Sequence, residues 1–331
     1  MKLRRTAASL AALAALAALV VPSAAVQGDP DLVGEFTGLD GLIYTSAPPV
    51  VHGLDGELYA GFEFDYACGL GGRRLENSID ELAKFAALLR KSGRRVVYTV
   101  APGKTWGLTD RLDPAALPHG LCDSTGVAQQ NKVLDQRRPD YLPLRPLLRK
   151  SSRQTYWKTD PHWTTVGASI YSTAVARALS PALGRAQDYS YAPDSRWGDL
   201  AAEAGDTNQE VAQRAVPANG VKVRTAPGAP DWAGYPTLTF DHSWISRPAR
   251  KTWPGHTLML GDSFMWYALD SLRPIFRHGR FVWVGKLSVA DLMRAIVRAD
   301  TVVIESYAAF GSPMGHPAFR RAVRHALAKQ P

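Results

Sequence analysis

Cysteine is nearly missing from this 331-residue chain, which holds only Cys68 and Cys122. Two thiols in these contexts carry no zinc signature. No internal repeat appears, and there is no low-complexity tract beyond the first residues, so a repeat architecture is excluded. Past residue 25 no segment is apolar enough to span a bilayer. No local cluster of His, Asp and Glu offers the several ligands a metal ion wants, so no metal and no cofactor is expected.

What the chain does have begins at its amino terminus. Met1-Lys2-Leu3-Arg4-Arg5 precedes an Ala/Leu/Val run to Val21 and then Pro22-Ser23-Ala24-Ala25. A basic start, an apolar middle and a small-x-small end make a secretory signal peptide over residues 1–25. The residues around Arg4-Arg5 favour general secretion over twin-arginine export. Cleavage after Ala25 yields a secreted or extracytoplasmic protein; an uncleaved run would tether it to the membrane instead. Lys2, Arg4 and Arg5 leave with the leader and lower the formal charge from +9 to +6. Export argues against nucleic acid as a partner, and a basic exported protein suits acidic glycans, teichoic-acid-like polymers or anionic lipid heads. In an exported chain the pair Cys68 and Cys122 reads as a disulfide, with two buried thiols as the alternative.

About three hundred mature residues suffice for one large α/β domain, or one with a sizeable insertion. Leu54-Asp55-Gly56-Glu57-Leu58-Tyr59 is a hairpin signal in a Gly/Pro/Asp-rich leader. Apolar periodicity predicts helices over 78–89, 129–137, 164–179, 264–277, 289–298 and 317–329, with Pro274 kinking or shortening the fourth. Buried strands are expected near 95–101, 257–261, 280–285 and 300–305. This is a doubly wound, mostly parallel α/β sheet. Residues 186–256 lack a regular pattern and are rich in Gly, Pro, Asp and Trp. They read as an irregular insertion over the site, a lid or a small β element.

Two short blocks carry the chemistry. Thr257-Leu258-Met259-Leu260-Gly261-Asp262-Ser263-Phe264 runs as a buried strand into a tight turn and a helix start. A serine there is exposed at the carboxyl edge of the sheet, where open α/β sheets place ligands. The helix start offers free N–H groups to an oxyanion, that of Ser263 first among them. Lys158-Thr159-Asp160-Pro161-His162-Trp163 supplies a base and its orienter. The spacing allows Asp160 to hold one imidazole nitrogen while the other faces Ser263. Each block has a plainer reading: Ser263 or Asp160 as a helix cap, His162 as an ordinary surface or core histidine, or Asp-x-His as part of a metal site.

Gly261-Asp262-Ser263-Phe264 resembles the nucleophile block of SGNH/GDSL hydrolases. In the usual members that block opens the domain and an Asp-x-x-His closes it; here the catalytic blocks stand in reversed order with Asp-x-His spacing. That order, with Asp160-Pro161-His162-Trp163-Thr164 followed by Gly167-Ala168, resembles the alginate O-acetyltransferase (AlgJ/AlgX-like) branch. The Asp55-Gly56 segment, the Pro102-Gly103-Lys104 loop and the strand 301–307 with its Glu305 are similar to further parts of that family. The resemblance covers about residues 50 to 310. It implies an exported O-acyltransferase, usually an O-acetyltransferase, that modifies polysaccharide hydroxyls. The acyl group would come through a membrane-bound O-acyltransferase partner. Carried over by position, Ser263 is the nucleophile, His162 the base and Asp160 its orienter. Lys104, Trp163, Glu305 and Tyr307 are candidate substrate-binding residues. The chain departs from the pattern in leaving only about twenty residues after Phe310, with no evident carbohydrate-binding module. A glycan grip must come from the domain, with Trp157, Trp163, Trp197, Trp232, Trp244 and Trp253 as stacking candidates. An SGNH/GDSL esterase and a non-catalytic glycan-binding protein on the same fold are the competing expectations.

Overall fold

In the computed structural model the described residues are 49–64, 71–113, 115, 124–206, 208–225, 241–284, 289–307, 314 and 317–328. The expected signal peptide, Cys68, Cys122 and Trp232 lie outside them. The described residues contain no helix long and apolar enough to cross a membrane.

The centre of the molecule is built from strands that sequence marks as apolar on both faces. These are β3 (Arg95–Ala101), β8 (Trp253–Gly261), β9 (Phe276–Trp283) and β10 (Thr301–Tyr307). They run parallel in the order β3-β10-β8-β9, and parallel strands read as continuous apolar runs because helices cover both faces. Alternation sorts the side chains. Val96, Tyr98, Val100, Leu258, Leu260, Val302 and Ile304 face one layer, with α1 (Gly71–Lys91), α2 (Ser124–Asp135), α6 (Val289–Val297) and α7 (Pro317–Ala328). Val97, Ala101, Met259 and Val303 face the other, with α3 (Thr165–Leu179), α4 (Ser263–Tyr267) and α5 (Leu269–Leu272). The doubly wound, mostly parallel expectation holds.

Two expectations are corrected. The apolar run after Ser263 is not one helix over 264–277. It breaks into α4, α5 and a 3-10 turn at Arg273–Ile275, and β9 starts at Phe276. Pro274 supplies no backbone donor to a longer helix, and pairing with β8 claims the residues that follow, beginning with Phe276 opposite Trp253. Nor is the stretch 186–256 wholly irregular. β4 (Tyr189–Arg196) and β5 (Glu210–Pro217) form a two-stranded antiparallel sheet. β6 (Lys222–Thr225) and β7 (Asp241–Arg247) extend the central sheet beyond β9 in antiparallel fashion. Near the amino end, β1 (Val50–His52) and β2 (Leu58–Ala60) make the hairpin foreseen at Asp55-Gly56, both of which have positive φ.

Candidate active site

β8 ends at Gly261 between β10 and β9, so the turn after it opens at the middle of the sheet's carboxyl edge. Asp262, not Ser263, caps the helix: its Oδ1 accepts the Phe264 N–H at 3.0 Å and its Oδ2 accepts the Tyr307 N–H at 2.6 Å. Glu305 lies beneath the turn, its Oε2 accepting from Asp262 N at 3.3 Å and Met265 N at 3.1 Å. Trp266 N bonds back to the Asp262 carbonyl. The helix-start donors behind the serine are thus occupied, and Ser263 is left free to present its Oγ and its own N–H.

The opposing block forms a tight hairpin loop. Tyr156 bridges Trp163, Trp157 N donates to the His162 carbonyl, and Thr164 N donates to the Thr155 carbonyl. The Thr164 side chain, and not that of Asp160, caps α3 by accepting from Gly167 N at 3.3 Å. Asp160 is turned inward instead. Its Oδ1 accepts the His162 backbone N–H at 2.8 Å and lies 2.8 Å from His162 Nδ1. On the far side of the ring, His162 Nε2 is 2.9 Å from Ser263 Oγ. An ionised carboxylate only accepts, so Nδ1 carries the proton and Nε2 is left as the acceptor of the serine hydroxyl.

The electrostatics follow from this packing. Burial opposes ionisation of Asp160, but His162 and Arg196 outweigh it and hold the carboxyl at about 2. Burial alone would lower the His162 imidazole; the Asp160 carboxylate, helped by Asp199, overrides it and raises the ring above its ordinary 6.5. Burial beside Asp262 drives Glu305 well above the usual carboxyl range. Asp262 is also pushed up by burial, opposed by the backbone N–H groups it accepts. Of this pair Glu305 holds the proton, because each Asp262 oxygen is fixed by an N–H that favours the charged form.

The family comparison bears on the same region. Residues 50–230 match the model of the SGNH hydrolase-like domain of acetyltransferase AlgX. The chain belongs to this family. Among solved structures, the AlgX-family chain is similar to PatB1 of Bacillus cereus with a sulfonyl adduct. The two are 16% identical at a TM-score of 0.55, over 80% of this chain and 98% of that one. It is also similar to Pseudomonas aeruginosa AlgX, at 15% identity and a TM-score of 0.53, over 93% of this chain and 70% of that one. A DHHW family protein from Eubacterium siraeum is 12% identical at a TM-score of 0.51, over 82% of this chain and 93% of that one. At these identities the likeness is one of fold. No curated protein sequence matches the chain.

In this AlgX-family chain the other predicted residues lie less uniformly at the cleft. Tyr307 is half-buried and stacks its ring on Phe264 at 5.1 Å. Glu305 is buried under the turn and holds the Asp262 and Met265 N–H groups on either side of Ser263. Trp163 is also buried, packed between Tyr171 and Phe264. Lys104 stands at the end of β3 as expected, yet its Nζ points inward. It meets Glu57 Oε2 at 2.7 Å, the Leu58 carbonyl at 2.8 Å and the Lys158 carbonyl at 2.5 Å. Its charge is satisfied inside the protein rather than offered to the cleft. Of the candidate tryptophans, Trp157 and Trp244 are buried and Trp253 is partly so, whereas Trp197 is 61% exposed.

Sequence reasoning missed Arg196, Asp199 and Glu210. Arg196 donates to Asp160 Oδ2, and the Asp199 N–H reaches the same oxygen at 3.2 Å. Asp160, His162 and Asp199 place ligating atoms within 4.8 Å of one another. The Arg196 guanidinium, bonded to Asp160 and 3.7 Å from Asp199, supplies a fixed cation in that cluster. Glu210 accepts from Lys158 N, Thr159 N, Thr159 Oγ1 and Gln154 Nε2. No motif announces these residues, which lie 36 or more positions from the loop they hold.

Proposed function

We propose that the protein is an exported serine-dependent O-acyltransferase, by family an O-acetyltransferase, that esterifies hydroxyls of a cell-wall or secreted polysaccharide. The observation that carries this reading is the continuous chain from Ser263 Oγ through His162 to Asp160, at 2.9 and 2.8 Å. A serine hydroxyl is a poor nucleophile until a base removes its proton. His162 Nε2 takes that proton as Oγ attacks the acyl carbonyl of the donor. Asp160 stabilises the imidazolium, and the Ser263 N–H donates to the oxyanion. His162 then protonates the leaving group, and acyl-Ser263 remains. In the second half Nε2 takes the proton of a sugar hydroxyl, the resulting oxygen attacks the acyl carbon, and Ser263 recovers its proton through His162. The family resemblance supplies the acceptor class and the membrane-bound partner that would deliver the acyl group.

The test is incubation with a chromogenic acetyl ester, with and without an oligosaccharide acceptor. Acetyl appearing on the sugar supports transfer. Free acetate alone would make the protein an esterase, and no turnover would return the non-catalytic glycan-binding reading.

A further inference from the structure

The base of the site sits in a cluster of charge that a three-residue triad does not require. Asp160 uses Oδ1 for His162 and leaves Oδ2 to two groups from one segment, the Arg196 side chain and the Asp199 N–H at 3.2 Å. Asp199 brings a second carboxylate, whose Oδ2 lies 3.7 Å from His162 Nδ1. Arg196 is fixed over two rings, Trp157 at 5.3 Å and Tyr267 at 5.1 Å, and donates to the Tyr267 hydroxyl at 3.2 Å. Gly198, between them, lets the segment close down: a Cβ there would come within 2.0 Å of the Thr159 carbonyl oxygen. The Leu200 N–H bonds that same oxygen at 3.0 Å.

We propose that Arg196 and Asp199 are positioning residues of the His162 base, holding Asp160 in place and bringing charges of opposite sign against the imidazole. The inference rests on the Ser263–His162–Asp160 reading above. The groups facing His162 are Asp160 from its own loop, Arg196 at the end of β4, Asp199 just beyond it, and Ser263, Tyr267 and the capping Asp262 from α4. Two carboxylates against one imidazole would keep it protonated and useless as a base near neutrality. Arg196 offsets one of them, because an opposite charge at this range moves a titration by about one unit or more. The planar guanidinium also fixes where Oδ2 points, which a lysine would do less well.

The experiment titrates the histidine ring nitrogens of the mature protein by NMR, with His162 assigned from the His162→Gln spectrum, beside pH profiles of kcat/KM on the chromogenic ester. Arg196→Met is expected to raise the His162 midpoint by about one unit. The acid limb should follow, so that kcat/KM below it falls roughly tenfold. Asp199→Asn is expected to lower the midpoint and move the limb the other way. The double variant should return close to wild type, and Arg196→Lys should keep the midpoint while lowering the plateau. Midpoints that stay put, or that move the same way in both single variants, overturn the proposal even if activity drops. If Arg196→Met does not fold, Arg196→Lys and Asp199→Asn decide it by the same readings. Ser263→Ala separates the underlying reading: it must abolish acyl release while leaving His162 titratable. Undiminished release there sinks the triad, and the NMR midpoints still judge Arg196 and Asp199.

Discussion

Ser263, His162 and Asp160 stand in one hydrogen-bonded chain, and the proposed mechanism makes them work as a unit. Ser263→Ala and His162→Ala should each cut acyl release by about a thousandfold or more, and the double variant should be little worse, because the members act as a unit. Steady-state rates on the chromogenic ester check this; additive losses would mean that the two do not share a step. The base must be neutral to work, and His162 is raised above 6.5 by its carboxylate neighbours. The acid limb of kcat/KM should therefore lie above that value, and a limb well below it would contradict the cluster. Glu305 is a different case, since it is buried beneath the turn. Its carboxyl is held well above the ordinary 4.5, so the folded protein keeps a proton that the unfolded chain releases once pH passes that value. This contribution to stability is whole below about 4.5 and shrinks as pH rises beyond it. Glu305→Gln keeps an acceptor for Asp262 N and Met265 N and a donor for the Asp262 carboxylate. It should lose less stability between pH 5 and 8 than wild type does. Glu305→Ala, which orphans the Asp262 and Met265 N–H groups, should cost several kcal/mol, on the order of 1–3 for each buried donor left unpaired. Melting temperatures of both variants across that pH range are the measurement, and an unchanged slope in Glu305→Gln would mean that Glu305 is ionised in the fold.

At the level of elements, the site is a turn and a loop clasped by a hairpin end. Arg196 and Glu210 are directly opposed in the β4–β5 register. Arg196 takes the side chain of Asp160 while Glu210 takes the backbone of Lys158 and Thr159, so one pair of facing residues fixes the loop that carries His162. Glu210→Ala should lower kcat by roughly ten- to a hundredfold, the scale of an ångström-sized misplacement near the chemistry. Glu210→Gln should recover part of it, since only one amide atom accepts. Rates measured well below the melting transition decide this; unaltered kcat in Glu210→Ala would show that the loop holds its place alone. The clasp also marks where sequence stopped being legible. α3 could be read because Val166, Tyr171, Val175 and Leu179 face the core at helical spacing and Thr164 caps it. β8, β10 and β3 could be read because burial on both faces leaves an unbroken apolar run. β4 is mostly exposed along its length, so no period of two was imposed on its residues. β6 is a short edge strand paired to β7, and β7 takes its place through pairing with β9, more than thirty residues further along the chain. The broken helix after Ser263 departs from its apolar spacing for a related reason: its apolar residues are buried, but sheet pairing and not helical spacing claims the later ones.

Across the whole molecule, the amino-terminal hairpin, the end of β3 and the loop of the base are joined at a single buried cation. Lys104 is wholly enclosed and reaches Glu57 before β2, the Leu58 carbonyl in β2 and the Lys158 carbonyl beside the loop of Asp160 and His162. Glu63 reinforces the joint from the same segment, accepting from Thr105 N at 2.8 Å and Thr105 Oγ1 at 2.5 Å. Residues that sequence grouped as a leader and a substrate-binding loop thus become one internal strut, because a lysine taken out of water must find a carboxylate and carbonyls to replace it. The pair need not stabilise the fold relative to apolar residues of the same size, but breaking it from one side is costly. Lys104→Met would leave the nearly buried Glu57 beside an unpaired Leu58 carbonyl, while the Lys158 carbonyl keeps the Leu58 N–H at 2.7 Å. The cost should be about 3–5 kcal/mol, or roughly a 10 °C fall in melting temperature. Lys104→Met combined with Glu57→Leu should recover much of that loss, since the penalty lies in the stranded charge and not in the missing bond. Thermal unfolding of the two variants beside wild type measures it. A double variant as unstable as Lys104→Met would place the cost in the lost bonds to the Leu58 carbonyl and, beside its Leu58 N–H, the Lys158 carbonyl, making Lys104 a backbone tie across the site rather than half of an ion pair.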